Sequence, residues 1–565
     1  MGTLVQASVG PWKGKLLLVD GNGIPNGTRI AADVCIVGGG PAAITVALEF
    51  VGTNHSVWLL ESGGLADDPA ARAMNVGENV GEDYFPLDET RHRLLGGSST
   101  RWAGWCRPLD PIDLEARDWV PHSGWPISYA DLHEPYLRAA DLCQIPPDRF
   151  QESDHDAIPE LYRPPFIGGD VDVAVWQSSP PTKFGAVYLD ALESAKNLTV
   201  SLHSTAVEIL TNEGGNRAAG VRVASSAGTN FELESPVVII GAGAIESARL
   251  LLASRAAHPD GLGNTNGLVG RYFTEHPHMV TGQIIINADR SNRRPFLPSV
   301  DLGVKGAKAR LSLQRPVGGI KVAYTLDEKR QREEGLLNYS AHLRTTSPID
   351  RDESEAYAAL KLVVGNLRSP GRLVRQVRDG TLPAGVGTLS KNLLMGSPEV
   401  AQAIYHEAFR KPKAFALYTQ CEASPNPNSR VTLDYRNVDS VGLPRVRLDW
   451  RLSALDKESL VRSQEIVGAQ LQAAGLGVLE PDEPFRDSGP DWGRRLRGGH
   501  HQMGTTRMAT DPKQGVVDAN CQVHGVDGLF VTGQSVFPTV GFANPLLTGV
   551  ALSSRLGKHL IKTMQ

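Results

Sequence analysis

The stretch Ala32-Asp33-Val34-Cys35-Ile36-Val37-Gly38-Gly39-Gly40-Pro41-Ala42-Ala43 decides the fold. A short β-rich run ends at Val37, and Ile44 to Phe50 reads as helix, so the glycines fall between strand and helix. In that setting the G-x-G-x-x-A pattern has a mechanical meaning. Gly38 makes the tight turn, Gly40 lets the backbone approach a pyrophosphate, and Ala43 lets helix and strand pack closely. A second strand, Ser56 to Leu60, ends at Glu61, about 20 residues on, where a carboxylate can accept from a ribose hydroxyl. A lone glycine pattern is often only a turn. With both strands and the acid in register, it predicts a dinucleotide-binding unit.

The other end of the chain carries candidate chemistry. His500-His501-Gln502-Met503-Gly504-Thr505-Thr506-Arg507-Met508 lies about forty residues ahead of Phe542-Ala543-Asn544-Pro545. A neutral imidazole is well poised to take a hydroxyl proton near neutral pH, and an amide beside it can hold the oxygen. Pro545 and the apolar Leu546, Leu547, Val550, Ala551, Leu556 and Leu560 predict a helix opening directly after Asn544. Its N-terminus would carry about +0.5 of a charge, suited to a negatively charged group beside it.

Three further segments lie between: Arg93-Leu94-Leu95-Gly96-Gly97-Ser98-Ser99-Thr100-Arg101-Trp102, then Val237 to Ser247 around Gly241-Ala242-Gly243, then Val269 to Pro277. With these five motifs in this order, the chain resembles the glucose-methanol-choline (GMC) flavin oxidoreductases. The resemblance is to the branch holding pyranose oxidases and sugar or polyol dehydrogenases. It implies an α/β fold, α+β overall, of p-hydroxybenzoate-hydroxylase-like architecture: a Rossmann-like FAD-binding domain with a largely antiparallel substrate domain. It also implies FAD contacts at Gly38, Gly40, Ala43, Glu61, Arg93, Gly97, Ser98, Trp102, Val207, Ala242, Gly533, Asn544 and Pro545. His501 is implied as the catalytic base and Asn544 as its partner, with His500 supporting or packing behind His501. Arg93 also reads as a plain solvated charge, and Trp102 and Trp105 equally as core aromatics.

The chain departs from the family at two places. Pyranose oxidases that attach FAD covalently carry a histidine after Ser-Thr, where this sequence has Arg101, so the expectation is non-covalent FAD. Many members also have an acid before the Ser-Val-x-Pro segment, where this chain has Thr532-Gly533-Gln534-Ser535-Val536. Gly533 can still approach phosphate through its backbone.

Composition bounds the rest. A chain of 565 residues exceeds one core, and a net charge of −5 with mixed charges offers no basic face for nucleic acid. No apolar run approaches the ~20 residues of a membrane span. Five scattered cysteines without a C-x-x-C pair read as buried thiols, and with no secretion signal the expected location is cytoplasmic. His500 and His501 are adjacent and point apart in most backbones. They are not a natural metal pair, nor is His276-Pro277-His278, so no metal is expected.

The organisation expected is an FAD-binding domain over 30–275 and 490–565, with a flavin-covering segment at about 103–195. A substrate domain follows over 276–489. Strands are expected near 198–210, 219–223, 231–240, 280–286, 309–313, 336–343, 415–422, 430–435 and 445–450, and Asp456 caps a helix ending near Gly475. A helical insert at about 352–413 reads either as packing on the substrate sheet or as a lid or subunit contact. The function expected is oxidation of a CH–OH group of a sugar, polyol or aminoglycoside-like natural product. The acceptor would be O2 or another oxidant. A lyase of the same fold, or a non-catalytic flavoprotein, remain as alternatives.

Overall fold

The computed structural model describes residues 18–150, 169–286, 299–300, 319–345, 414–493 and 496–564. The expected insert at 352–413 and the expected strand at 309–313 lie outside them. The first β-rich run is the strand Val34–Val37, fully buried, and Gly40 opens the helix Pro41–Phe50. Around that strand six parallel strands line up in the order Leu18–Asp20, Leu198–Leu202, Val57–Leu60, Val34–Val37, Val237–Ile240 and Leu529–Val531. Residues near the two ends of the chain thus share one sheet. Three of its four inner strands, Val57–Leu60, Val34–Val37 and Val237–Ile240, are continuous apolar runs, as a sheet covered on both faces requires, while Leu198–Leu202 carries Thr199 and Ser201.

Close approach of backbones holds this sheet at the glycine turns. Gly38 has φ +106°, and a Cβ there would sit 2.9 Å from the Gly241 carbonyl oxygen. A Cβ on Gly241 would meet the Cβ of Ala43 at 3.0 Å, which is the tight helix–strand packing that a small residue at 43 allows. The helix predicted after Asn544 runs Leu546–Thr563. It packs along Pro41–Phe50, with Ser554 donating to Glu49 at 3.0 Å.

The larger sheet is antiparallel. Its main path runs Gly477–Pro481, Pro277–Ile286, Ala414–Cys421, Tyr339–Thr345, Ile320–Leu326, Val171–Ser178 and Trp105–Cys106. Ile320–Leu326 and Val171–Ser178 were not among the expected strands. The expected flavin-covering stretch therefore contributes two strands to this sheet. Arg430–Val438 and Pro444–Asp449 do not join it; they form a separate three-stranded sheet with Glu78–Asn79. The expected run 231–240 divides at Ser235-Pro236 into Asn230–Glu234, in a four-stranded sheet, and Val237–Ile240 in the parallel one. The helix expected from Asp456 runs Ala454–Ala473, but Ser453 is its cap. Asp456 is the third helical residue and closes a capping box with Ser453.

If the turns are locked as described, Gly241→Val forces a branched side chain into Ala43. The expected cost is about 1–3 kcal/mol of stability, read by urea unfolding. Unchanged stability would contradict the packing.

Candidate active site

The cradle comes first. Gly40 caps the Pro41–Phe50 helix without a side-chain hydrogen bond, and a Cβ there would meet open space. Gly243, at φ +79°, opens the helix Ala244–Ala253 in the same way. The Gly96-Gly97 turn closes over the first glycine turn: Gly96 N–H donates to the Gly39 carbonyl at 2.7 Å, and a Cβ on Gly97 would touch Gly40 Cα at 3.1 Å. A Cβ on Gly533 would lie 3.1 Å from Ala42 Cβ. Bare glycine backbone and helix N-termini that no side chain caps are what a pyrophosphate requires. The residues present fit a dinucleotide.

Glu61, buried, accepts from the N–H of Gly39 and Gly63, both at 2.7 Å, and from Ser62 Oγ. Burial pushes its carboxyl above the usual range despite these donors. Glu61 thus pins the glycine turn itself. Arg93 donates to Asn75 at 2.7 Å, Ser62 at 3.0 Å and Glu246 at 2.6 Å, in a cluster with Arg91 and Arg249. Its donors are committed to protein, which favours neither the solvated charge nor a phosphate contact. Ser98 is exposed in the Gly97–Thr100 turn. Trp102 is half-buried, packs on the core and donates to the Thr182 carbonyl at 2.9 Å. Val207 sits at the register shift between the Val223–Ala206 and Arg222–Glu208 pairs, so the ladder leaves it out. Ala242 is half-buried beside Gly38, and Pro545 is buried at the start of the last helix.

His501 and Asn544 come together across 43 residues of sequence. Asn544 Nδ2 lies 3.0 Å from His501 Nε2. The segments bearing them are stitched through backbone: Thr506 N–H to Ser535 O and Met508 N–H to Val536 O, each 2.8 Å, while Thr274 and Met503 exchange a pair of hydrogen bonds. His500 stands apart. It has φ +59°, is exposed, and stacks on Phe85 with ring centroids 4.2 Å apart. It does not pack behind His501, because the left-handed backbone at 500 turns the two side chains to opposite sides.

Several residues around the pair were not singled out by sequence. Glu275, fully buried, accepts from the N–H of His501 at 2.8 Å, of Gly499 at 3.0 Å and of His276 at 3.0 Å, and from Tyr84 Oη at 2.7 Å. Burial lifts its carboxyl to about 7, against the pull of those four donors. Trp176 donates to Asn544 Oδ1 at 3.0 Å, and His276 Nδ1 lies 2.9 Å from His501 Nδ1. His278 bonds Tyr418 Oη at 3.1 Å through Nδ1, while its Nε2 is buried without a hydrogen-bond partner among the described residues. The only sequence signal was the Thr274-Glu275-His276-Pro277-His278 run, read as a motif and not as side chains.

That run also brings histidines together. His276 and His278 flank Pro277 at the start of a strand, where alternate residues share a face, and with His501 they bring one nitrogen each within 4.8 Å of one another. Three imidazoles therefore do converge, although His276-Pro277-His278 alone read as an unnatural pair. The 2.9 Å contact ties up one nitrogen of His276 and one of His501 with each other. Burial takes His276 down to about 4. It also holds His278 and His501 well below the ordinary histidine value, helped by the other imidazoles and Lys321.

Sequence comparison agrees with this architecture. The GMC oxidoreductase family models match residues 184–278 and 425–553. The chain carries both the N-terminal and the C-terminal GMC oxidoreductase region. It is a flavoprotein oxidoreductase of the alcohol-oxidising type, and the family binds FAD. It is 24% identical to the 2-methyl-1,2-propanediol dehydrogenase of Mycolicibacterium austroafricanum, over 94% of this chain and 95% of that one. It is 25% identical to the C-glycoside 3-oxidase of Microbacterium trichothecenolyticum, over 89% and 79%. Formate oxidase of Aspergillus oryzae RIB40 has the same fold, with TM-score 0.52 at 16% identity over 96% of this chain and 99% of that one.

The grip of Glu275 on the 499–501 backbone is testable. Glu275→Gln turns an amide NH2 toward N–H donors, and the expected loss is about 1–3 kcal/mol of stability. Equal unfolding midpoints for variant and parent would contradict it.

Proposed function

We propose that the protein oxidises a CH–OH group of a sugar or polyol to the carbonyl, with His501 as base and Asn544 as its partner. The observation that carries this reading is the 3.0 Å approach of Asn544 Nδ2 to His501 Nε2. It lies at the head of a helix that packs along the glycine-turn helix. The proposed FAD-binding domain is 30–275 with 490–565, and the substrate domain 276–489. Gly38, Gly40, Ala43, Ala242 and Gly533 would hold the pyrophosphate side of FAD, and Glu61 would fix the turn beside the ribose. When bound, FAD supplies the hydride acceptor. His501 Nε2 takes the hydroxyl proton, and Asn544 Nδ2 donates to the same oxygen and keeps it oriented. Trp176 and Gln420 hold the Asn544 amide in that pose. A positioned base is worth roughly 10²–10⁴ in rate. O2 or another oxidant would then reoxidise the flavin.

The wall beside the pair suits hydroxyl groups. His278 and Gln420 are register partners, as are His342 and Tyr418, and Arg344 stacks over Tyr418 at 3.4 Å. The charges of Lys321 and Arg344 face His278 and His342 and push both imidazoles further down. Cations there disfavour an ammonium-bearing substrate, so neutral sugars and polyols rank ahead of aminoglycosides. An anaerobic screen of these classes, following loss of the oxidised flavin band, tests the reading. Bleaching by none of them would favour the lyase of the same fold.

His501→Ala should retain FAD yet slow flavin reduction by roughly 10²–10⁴, with Asn544→Ala slowed less and His500→Ala least. Stopped-flow reduction ranks them, and a dead His500→Ala beside a normal His501→Ala would reverse the assignment. Because His501 is held well below the usual value, it is already neutral at about pH 6.5. Titration of His501 should therefore leave the reduction rate level from about pH 8 to about pH 6.5, any limb near 7 belonging to Glu275; an acid limb centred near 7 that persists in Glu275→Gln would contradict this. With Arg101 in place of a linking histidine, exposed and 3.4 Å from Asp67, acid precipitation should release all the FAD. Flavin remaining in the pellet would mean a covalent link.

A further inference from the structure

Asn544, His501 and His276 form one hydrogen-bonded chain, and each end of it has a fixed polarity. At one end the indole N–H of Trp176 can only donate, so the Asn544 atom 3.0 Å away is the carbonyl oxygen. Gln420 agrees: its Nε2 donates to the Phe542 carbonyl and lies 3.4 Å from the same Asn544 oxygen. The Asn544 amide nitrogen therefore faces His501 and donates to Nε2, which must hold a lone pair. At the other end the Val540 carbonyl can only accept, so His276 Nε2, 3.4 Å from it, carries hydrogen and His276 Nδ1 is bare. That bare nitrogen lies 2.9 Å from His501 Nδ1, which must then be the protonated one. Two independent ends dictate one tautomer.

We infer that His276 is a positioning residue: it holds the proton of neutral His501 on Nδ1 and so keeps a lone pair on Nε2, which Asn544 covers until the substrate hydroxyl takes its place and which then acts as base. This rests on the reading of His501 as that base. A histidine with its proton on Nε2 has nothing there to accept an alcohol proton, so the wrong tautomer is inert however well it is placed. His276 is fully buried at the entry of the Pro277–Ile286 strand, and its second nitrogen is tied to the 540 backbone. Its ring is therefore fixed by the sheet and by the C-terminal segment together. Burial also keeps it neutral down to about 4, so it remains an acceptor at working pH. Once His501 has taken the substrate proton, its Nδ1–H still points at an acceptor. The buried imidazolium is then not left with an unpaired donor, which would cost about 1–3 kcal/mol.

The test uses FAD-loaded protein with 15N-labelled histidine side chains, the His501 signals being assigned by their loss in His501→Gln. In the parent, Nδ1 of His501 should read as protonated and Nε2 as bare. His276→Leu removes the acceptor. With only Asn544 left to favour Nδ1–H, the His501 proton should then spread in part onto Nε2, and flavin reduction should slow by roughly ten- to a hundredfold, the usual size for a residue that orients another. Substrate affinity should change little. His276→Asn puts a carbonyl oxygen close to the lost Nδ1 and should restore both the tautomer and most of the rate. If the leucine variant does not fold, His276→Gln replaces it, since its amide reaches the Nε2 position instead. An unchanged His501 tautomer in the leucine or glutamine variant would overturn the inference. So would an asparagine variant as slow as leucine. Native-rate reduction by His501→Ala would instead defeat the base assignment itself, while the tautomer of the His276 variants would still report on the contact.

Discussion

The carboxylate of Glu275 is the constraint on which the site depends. One buried group receives the N–H of Gly499, His501 and His276 together with the Tyr84 hydroxyl. These donors belong to the entry of the Pro277–Ile286 strand, to the loop holding His500 and His501, and to the segment before the Arg93-to-Trp102 run. A neutral side chain could not accept from all of them. Desolvation raises the cost of the charge, and four converging donors offset it, leaving a carboxyl near 7. The geometry of His501 is thus set through its backbone, not through contacts of its ring alone.

From that anchor the rest follows by proximity. Asn544 arrives from the other side on the head of a helix whose length packs along the glycine-turn helix, so the same packing that completes the parallel sheet sets the amide. Trp176 comes from a strand of the larger sheet and fixes which end of that amide faces the imidazole. The site lies where the parallel sheet's last motifs meet the antiparallel sheet, and each sheet supplies groups the other lacks.

Much of this was legible in sequence. The glycine pattern, its flanking strands and Glu61 are local, and each has a mechanical reason at fixed spacing, so the parallel sheet could be read from about thirty residues. The helix after Pro545 was legible from its apolar spacing, whereas His501 and Asn544 were singled out through the family resemblance. What sequence did not reveal was register between distant strands. His278 lies opposite Gln420, and Trp176 opposite Lys321, through pairings that span over a hundred residues, and nothing local encodes them. Trp176 was hidden further because its strand was not recognised, lying in the stretch 103–195 read as a flavin cover. The backbone at His500 is a similar case. The observed contacts show which of two adjacent histidines faces Asn544, with His501 Nε2 against that amide and the His500 ring stacked on Phe85.

The central claim is that an alcohol carbon gives up hydride while His501 takes the hydroxyl proton. The most direct measurement is single-turnover, anaerobic reduction of the bound flavin by a polyol or sugar carrying deuterium at the carbinol carbon. The account predicts that the flavin bleaches and that deuterium slows bleaching several-fold. Bleaching at the same rate with both isotopes, or an alcohol that binds and leaves the flavin oxidised, would contradict it.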